Sequence, residues 1–155
     1  MLLRFRAGNH LSLREPQELS LVASSLKDDD AGLIDCPAAG EKLVPAAIIY
    51  GANASGKSNL VKALSFMQWQ VLYSHSHREP LGASRSKYIS TYTWSAMYGV
   101  QSPSDRAPFA LDSSTKASPS LFDIDFVVGG TRYHYGFETS DNSYETEWLD
   151  SYANG

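Results

Sequence analysis

The sequence predicts an α/β fold in which a buried strand, a glycine-bounded loop and a helix follow one another over residues 45–74. Three observations support this order. Residues 46–50 form an apolar run without alternation, which is typical of a strand covered on both faces. Residues 51–56 begin and end with glycine. Apolar side chains then recur three and four positions apart from about Lys57 to about Tyr73, which predicts an amphipathic helix.

The loop carries a chemical pattern as well as a structural one. Residues 51–58 read Gly-Ala-Asn-Ala-Ser-Gly-Lys-Ser and match G-x-x-x-x-G-K-[ST] at every fixed position. The glycines allow backbone conformations in which successive N–H groups face phosphate oxygens. Lys57 is the predicted catalytic residue, with its ammonium against the β- and γ-phosphates, and Ser58 is the predicted Mg²⁺ ligand. The predicted nucleotide-binding residues are Gly51, Asn53, Ala54, Ser55, Gly56, Lys57, Ser58 and Asn59.

The segments before this unit are predicted to be peripheral. Weak alternation on both sides of Gly8-Asn9 predicts an edge β-hairpin over residues 1–23. The stretch from Ser24 to Lys42 contains three consecutive aspartates, glycines and a proline, and it is predicted to be a surface loop. Cys36 lies in this stretch and is predicted to have no special role.

The segment after the helix is predicted to be a β-rich subdomain over residues 85–150. Residues 121–128 alternate between apolar and polar side chains, and residues 131–138 alternate again. Gly129-Gly130 between them suits a two-residue hairpin turn, because both positions of a type I′ turn need positive φ. A third strand near Tyr144–Leu149 is expected to complete an antiparallel meander.

Composition restricts the class of protein. The chain has 155 residues, of which 43% are hydrophobic and 19% charged, a formal net charge of -4 and a single cysteine. These values predict a globular domain without a disulfide framework and without general attraction to nucleic acid or anionic membrane. The N-terminus shows neither a signal peptide nor a membrane span. We therefore expect a cytoplasmic protein with no membrane partner.

The loop and the N-terminal hairpin together resemble a known family. Asn53 and the run from Ser55 to Asn59 are similar to the prokaryotic AAA or ABC-class ATPases related to RecF, SMC and OLD-family proteins. In those proteins the hairpin carries an Asn-Phe-[Arg/Lys]-Ser motif, and Asn9-His10-Leu11-Ser12 stands at that place here. The resemblance implies an α/β P-loop NTPase fold, specifically the first lobe of an ABC-class head, with a mixed central sheet and an antiparallel β-subdomain.

The same resemblance implies further elements that this sequence does not show. An apolar strand ending in acidic residues (Walker B), a signature motif and a switch histidine are expected in the C-terminal half of such a head. Asp123 and Asp125 alternate within a predicted hairpin and are expected on its polar face instead. We therefore expect residues 1–155 to be the N-terminal part of an ATPase head whose C-terminal lobe is absent.

By this resemblance, ATP and Mg²⁺ are the expected cofactors, and ATP hydrolysis is expected in the complete protein. A second copy of the head is the expected partner, with DNA bound through the missing parts. DNA-related or anti-phage defence work is implied, beside an effector nuclease or toxin. Two alternatives stay open: a regulatory ATP-binding module that controls such an effector with little turnover, and a P-loop kinase.

Other candidate residues have simpler explanations. His75 and His77 stand two positions apart, but no cysteine or cluster of carboxylates stands nearby in the sequence, so a polar helix end is favoured. His134 is expected on the solvated face of its strand. The basic and aromatic side chains of residues 85–94 suit a nucleic-acid surface, but sheet packing is favoured because the chain is acidic.

Overall fold

The computed structural model describes residues 1–24, 32–53, 55–73 and 106–152. The strands are β1 (Leu2–Gly8), β2 (Gln17–Ser20), β3 (Ile34–Cys36), β4 (Glu41–Leu43), β5 (Ser120–Val128), β6 (Thr131–Thr139) and β7 (Tyr144–Tyr152). The α-helix is α1 (Lys57–Tyr73), and short 3-10 turns cover Pro37–Ala39 and Ser113–Lys116. The predicted helix bounds are thus confirmed. Within the described ranges, no helix is long and apolar enough to cross a membrane.

The main sheet has five strands in the order β2-β1-β5-β6-β7, and every neighbouring pair is antiparallel. The predicted N-terminal hairpin is confirmed, with β2 at the edge. The predicted meander is also confirmed, and its third strand extends to Tyr152. Gly129 and Gly130 have φ angles of +58° and +80°, as a type I′ turn requires.

Helix α1 packs on one face of this sheet because its apolar stripe meets the apolar side chains of β1, β5 and β6. Phe66 of the helix lies 4.8 Å from Phe122 of β5, measured between ring centroids. Aromatic pairs at this separation add to the free energy gained from burial. The buried residues of this core are Phe5, Ala7, Leu13, Ala63, Phe66, Met67, Phe122 and Phe137.

A second, smaller core lies around Leu3 and includes residues of the segment that was predicted to be a surface loop. The register of strand β1 shifts between Leu2 and Arg4, and a bulge of this kind interrupts the alternation of side chains between the two faces of the sheet. Leu3 packs with Cys36, Leu43 and Val127, whereas Leu2 packs against the helix-side core.

The predicted surface loop from Ser24 to Lys42 is therefore wrong for its second half, where β3 and β4 form a hairpin. The proline and glycine that suggested a loop form the 3-10 turn that joins these strands, and Gly40 has a φ of +64°. Cys36 is 1% exposed and therefore lies in the core, not in a surface loop. Residues 25–31 lie outside the described part of the chain.

The predicted strand over residues 46–50 is also not found. These residues belong to neither sheet, and Ile48 and Tyr50 are 89% and 91% exposed. An apolar run forms a strand only where a neighbouring backbone completes its hydrogen bonds, and no described strand pairs with this one. The described sheets are antiparallel, so they do not contain the expected mixed central sheet. The segment 85–94 lies outside the described ranges.

Candidate functional site

The glycine-bounded loop lies on the surface directly before helix α1. Gly51, Ala52, Asn53 and Ser55 are exposed, and the Ser55 N–H donates to the Ala52 carbonyl oxygen at 3.3 Å. Gly56 has a φ of +90°, a conformation that side chains with a Cβ rarely adopt. The loop is therefore open to solvent and to a ligand, and its geometry depends on glycine at position 56.

Lys57 begins the helix and folds back over the loop. Its Nζ donates to the carbonyl oxygens of Gly51 at 2.8 Å and Ala52 at 2.6 Å, and it lies 3.4 Å from Ser55 Oγ. These contacts hold a positive charge at the loop. Because all of them are solvent-exposed, an anion with stronger acceptors can compete for the ammonium.

The first turn of α1 adds to this positive potential. The first N–H groups of a helix lack intrahelical partners, and the helix dipole places partial positive charge there. Ser58 is the second helical residue and is exposed, so its hydroxyl is available to a cation bound beside a phosphate. Within the described ranges, no group of three or more His, Cys, Asp or Glu residues could hold a metal ion. The site therefore fits a phosphate group, with Ser58 able to supply one ligand to an accompanying Mg²⁺.

A turn of the N-terminal hairpin contacts this site. The side-chain amide of Asn59 donates to Ser12 Oγ at 2.8 Å. Ser12 also lies close to Gly56: a Cβ added to Gly56 would be only 2.6 Å from Ser12 Oγ. The sequence predicted Asn59 as a nucleotide-binding residue, and the structure shows its side chain bonded to Ser12. Ser12 is not among the predicted site residues, although the Asn9–Ser12 motif contains it.

Asn9 holds this turn in place. Its side-chain nitrogen, with two N–H groups, lies within hydrogen-bond distance of the carbonyl oxygens of Thr115, Ser118 and Pro119 at 2.7, 2.8 and 3.1 Å, so one N–H is shared between two of them. Its side-chain oxygen accepts from the Phe109 N–H at 3.0 Å. A single buried amide thus ties the turn to the segment that leads into β5.

His10 lies in the helix-side core next to the turn. Its ring is 5.2 Å from those of Phe66 and Phe122, and its Nδ1 has no hydrogen-bond partner among the described residues. Burial, assisted by the charge of Arg106, lowers the pKa of His10 to about 4. The imidazole is therefore neutral at pH 7 and acts as an aromatic core residue.

Asp123 and Asp125 are paired with arginines, which excludes them as free carboxylates in this structure. Asp125 accepts from Arg4 at 3.2 Å and from Arg132 at 2.9 and 2.6 Å. Asp123 is bonded to Arg6 through both Nε and Nη2. Both aspartates are 6% exposed. The alternation of β5 places them on the face opposite Phe122, as predicted from the sequence, but arginine side chains cover them.

His134 joins the same charged face. Its Nε2 lies 3.5 Å from Asp123 and its Nδ1 lies 3.8 Å from Asp150. The sequence predicted the solvated face of the strand for His134, but the side chain is only 30% exposed because it packs beside Asp123 and Trp148. Ala54, His75, His77 and the segment 85–94 lie outside the described residues.

The comparisons with known proteins bear on residues 46–155. This range, more than half of the chain, matches the family described as "AAA domain, putative AbiEii toxin, Type IV TA system". No curated protein and no solved structure matches the chain. The matched range includes the loop, helix α1 and the strands β5 to β7. The chain belongs to this family of AAA domains, which implies a P-loop NTPase fold and nucleotide binding.

Proposed function

We propose that the chain binds Mg-ATP through residues 51–58 and the first turn of α1. The observation that carries this proposal is the position of Lys57, whose ammonium lies on the loop carbonyls at the N-terminus of the helix. The loop N–H groups and the helix dipole orient the phosphates, and Lys57 neutralises the β- and γ-phosphates. Ser58 holds the Mg²⁺, and this cation shields the negative charge of the phosphates.

We further propose that this unit is the ATP-binding lobe of an ABC-class ATPase related to RecF, SMC and OLD-family proteins. The support is the Asn9–Ser12 motif, whose last residue contacts the loop through Asn59. Hydrolysis then takes place in the complete dimeric protein, where a second head completes the site. The family description refers to a toxin and a TA system, which supports a role beside a toxin. We propose that this role is anti-phage defence in the cytoplasm, with an effector nuclease or toxin as the partner.

A second candidate function is a regulatory module that binds ATP with little turnover and controls such an effector. Asp123 and Asp125 are paired with arginines, so neither is the hydrolytic carboxylate, and both candidates are consistent with this pairing. A carboxylate that positions metal and water must be free to contact them. These two are engaged with arginines, so a measurement of turnover has to separate the two candidates.

Isothermal titration with Mg-ATP tests the proposal. The wild-type chain should bind ATP, and Lys57→Ala should lose measurable binding while its circular dichroism spectrum and melting temperature stay nearly unchanged. Lys62→Ala is the matched control, because it removes a positive charge from the same helix. Equal ATP affinity of wild type and Lys57→Ala would refute the assignment. Steady turnover by the 155-residue chain alone would argue against the second candidate and for a complete hydrolytic site.

A further inference from the structure

We propose that Ser12 is a positioning residue for the phosphate loop, and that it holds the end of the loop and the first turn of α1 ready for the nucleotide through Asn59. This inference rests on the proposed ATP site and adds a second segment of the chain to it. Ser12 and Asn59 are 47 positions apart, and their side chains meet at 2.8 Å. The contact therefore joins two segments that the sequence separates widely.

The loop needs such support because burial does not provide it. Gly51, Ala52, Asn53 and Ser55 are exposed, and the contacts of Lys57 are with the loop itself. A loop that samples several conformations must lose that freedom when it binds phosphate, and the loss weakens affinity. A hydrogen bond that is already present in the free protein reduces this cost.

Ser12 acts at the last part of the loop. Its Oγ packs so closely against Gly56 that a Cβ there would lie 2.6 Å away. The Asn59 N–H in turn donates to the Gly56 carbonyl oxygen at 2.8 Å. Ser12, Gly56 and Asn59 thus form one cluster at the junction between loop and helix, where the proposed site presents its N–H groups.

Ser12, which accepts the hydrogen bond from the Asn59 side chain, lies in a turn that is itself fixed. The Leu11 N–H donates to the Ala107 carbonyl oxygen at 2.7 Å, and the backbones of His10 and Leu13 bond to each other at 3.0 and 2.9 Å. Leu11 has a φ of +52°, which leucine adopts only when surrounding contacts enforce it. Together with the hydrogen bonds of the Asn9 side chain, these contacts hold the turn in place when the loop moves. Ser12 is therefore a fixed point against which the loop is held.

A double-mutant cycle on Mg-ATP affinity tests this inference with Ser12→Ala, Asn59→Ala and the double variant. In the wild-type background, Ser12→Ala should raise the Kd about 3- to 10-fold, the range expected for one hydrogen bond. In the Asn59→Ala background the same change should have no effect, because the partner is already gone. The melting temperature should change little, since the contact is solvent-exposed. Ser20→Ala is the control, because it removes another hydroxyl from the same hairpin, one that accepts from the Val22 N–H.

The outcomes separate this inference from the proposed function. Unchanged affinity of Ser12→Ala, or the same loss in both backgrounds, would refute the role of Ser12 while leaving the ATP site intact. A loss of affinity that is matched by Ser20→Ala would refute it as well, because the effect would then be general to the hairpin. Failure of the wild-type chain to bind ATP would refute both the ATP site and this inference.

Discussion

Trp148 of β7 lies directly across Gly136 of β6, and no side chain larger than hydrogen fits between them. The two residues are paired in the sheet register. A Cβ on Gly136 would lie 2.2 Å from Trp148 Cζ2 and 2.8 Å from Asp123 Cβ. The indole thus occupies the space that a side chain at 136 would fill, and it packs beside His134 at 6.1 Å between ring centroids. This arrangement joins the last three strands on the charged face of the sheet.

Gly136→Ala should therefore lower the free energy of unfolding by about 1–3 kcal/mol, the usual cost of overpacking. The ring of Trp148 can move aside, but Asp123 Cβ is fixed by the backbone of β5. Chemical denaturation followed by circular dichroism measures the loss. The double variant Gly136→Ala/Trp148→Ala should lose less than the sum of the two single variants. A Gly136→Ala variant as stable as wild type would contradict the close approach.

The buried His10 predicts a specific loss of stability in acid. Its pKa is about 4 in the folded chain and about 6.5 when unfolded, so the unfolded state binds the proton first as pH falls. The stability that depends on neutral His10 is complete above pH 6.5 and is lost as pH falls from 6.5 through 4. The full effect is about 3 kcal/mol. Urea unfolding at a series of pH values measures it.

His10→Phe is the informative variant, because it keeps an aromatic ring and removes the titrating group. Since Nδ1 of His10 has no partner among the described residues, the change should alter the free energy of unfolding at pH 7 by less than about 1.5 kcal/mol. Between pH 6.5 and 4 the variant should lose about 3 kcal/mol less than wild type, because all other titrating groups are shared. If the free energy of unfolding fell equally with pH in the two proteins, His10 would not be the group responsible for the loss of stability in acid.

The parts of the fold that the sequence predicts well are those with a local signal. The helix Lys57–Tyr73 follows from apolar spacing, and the β5–β6 hairpin follows from alternation around Gly129-Gly130. Each signal lies within a few residues, so no knowledge of distant contacts is needed. The phosphate loop is predictable for the same reason, because its chemistry is contained in residues 51–58.

The parts that the sequence did not predict depend on distant partners. An apolar run at 46–50 does not reveal whether another strand lies beside it. Cys36 is buried because a bulge in β1 places Leu3 against it, and nothing near Cys36 in the sequence indicates this. Ser12 reaches Asn59 through a turn fixed by Asn9, which is again a long-range arrangement. Side-chain alternation predicted the face of Asp123, but not the arginine that neutralises it.

The central claim is that residues 51–59 bind the phosphates of ATP. Amide chemical-shift mapping of the ¹⁵N-labelled chain during titration with Mg-ATP tests it most directly, because the loop N–H groups are the proposed ligands. The account predicts the largest shifts at the amides of residues 51–59, with small shifts at the Gly129-Gly130 turn. Shifts concentrated outside the loop and the first turn of α1, or no shifts at saturating ATP, would contradict it.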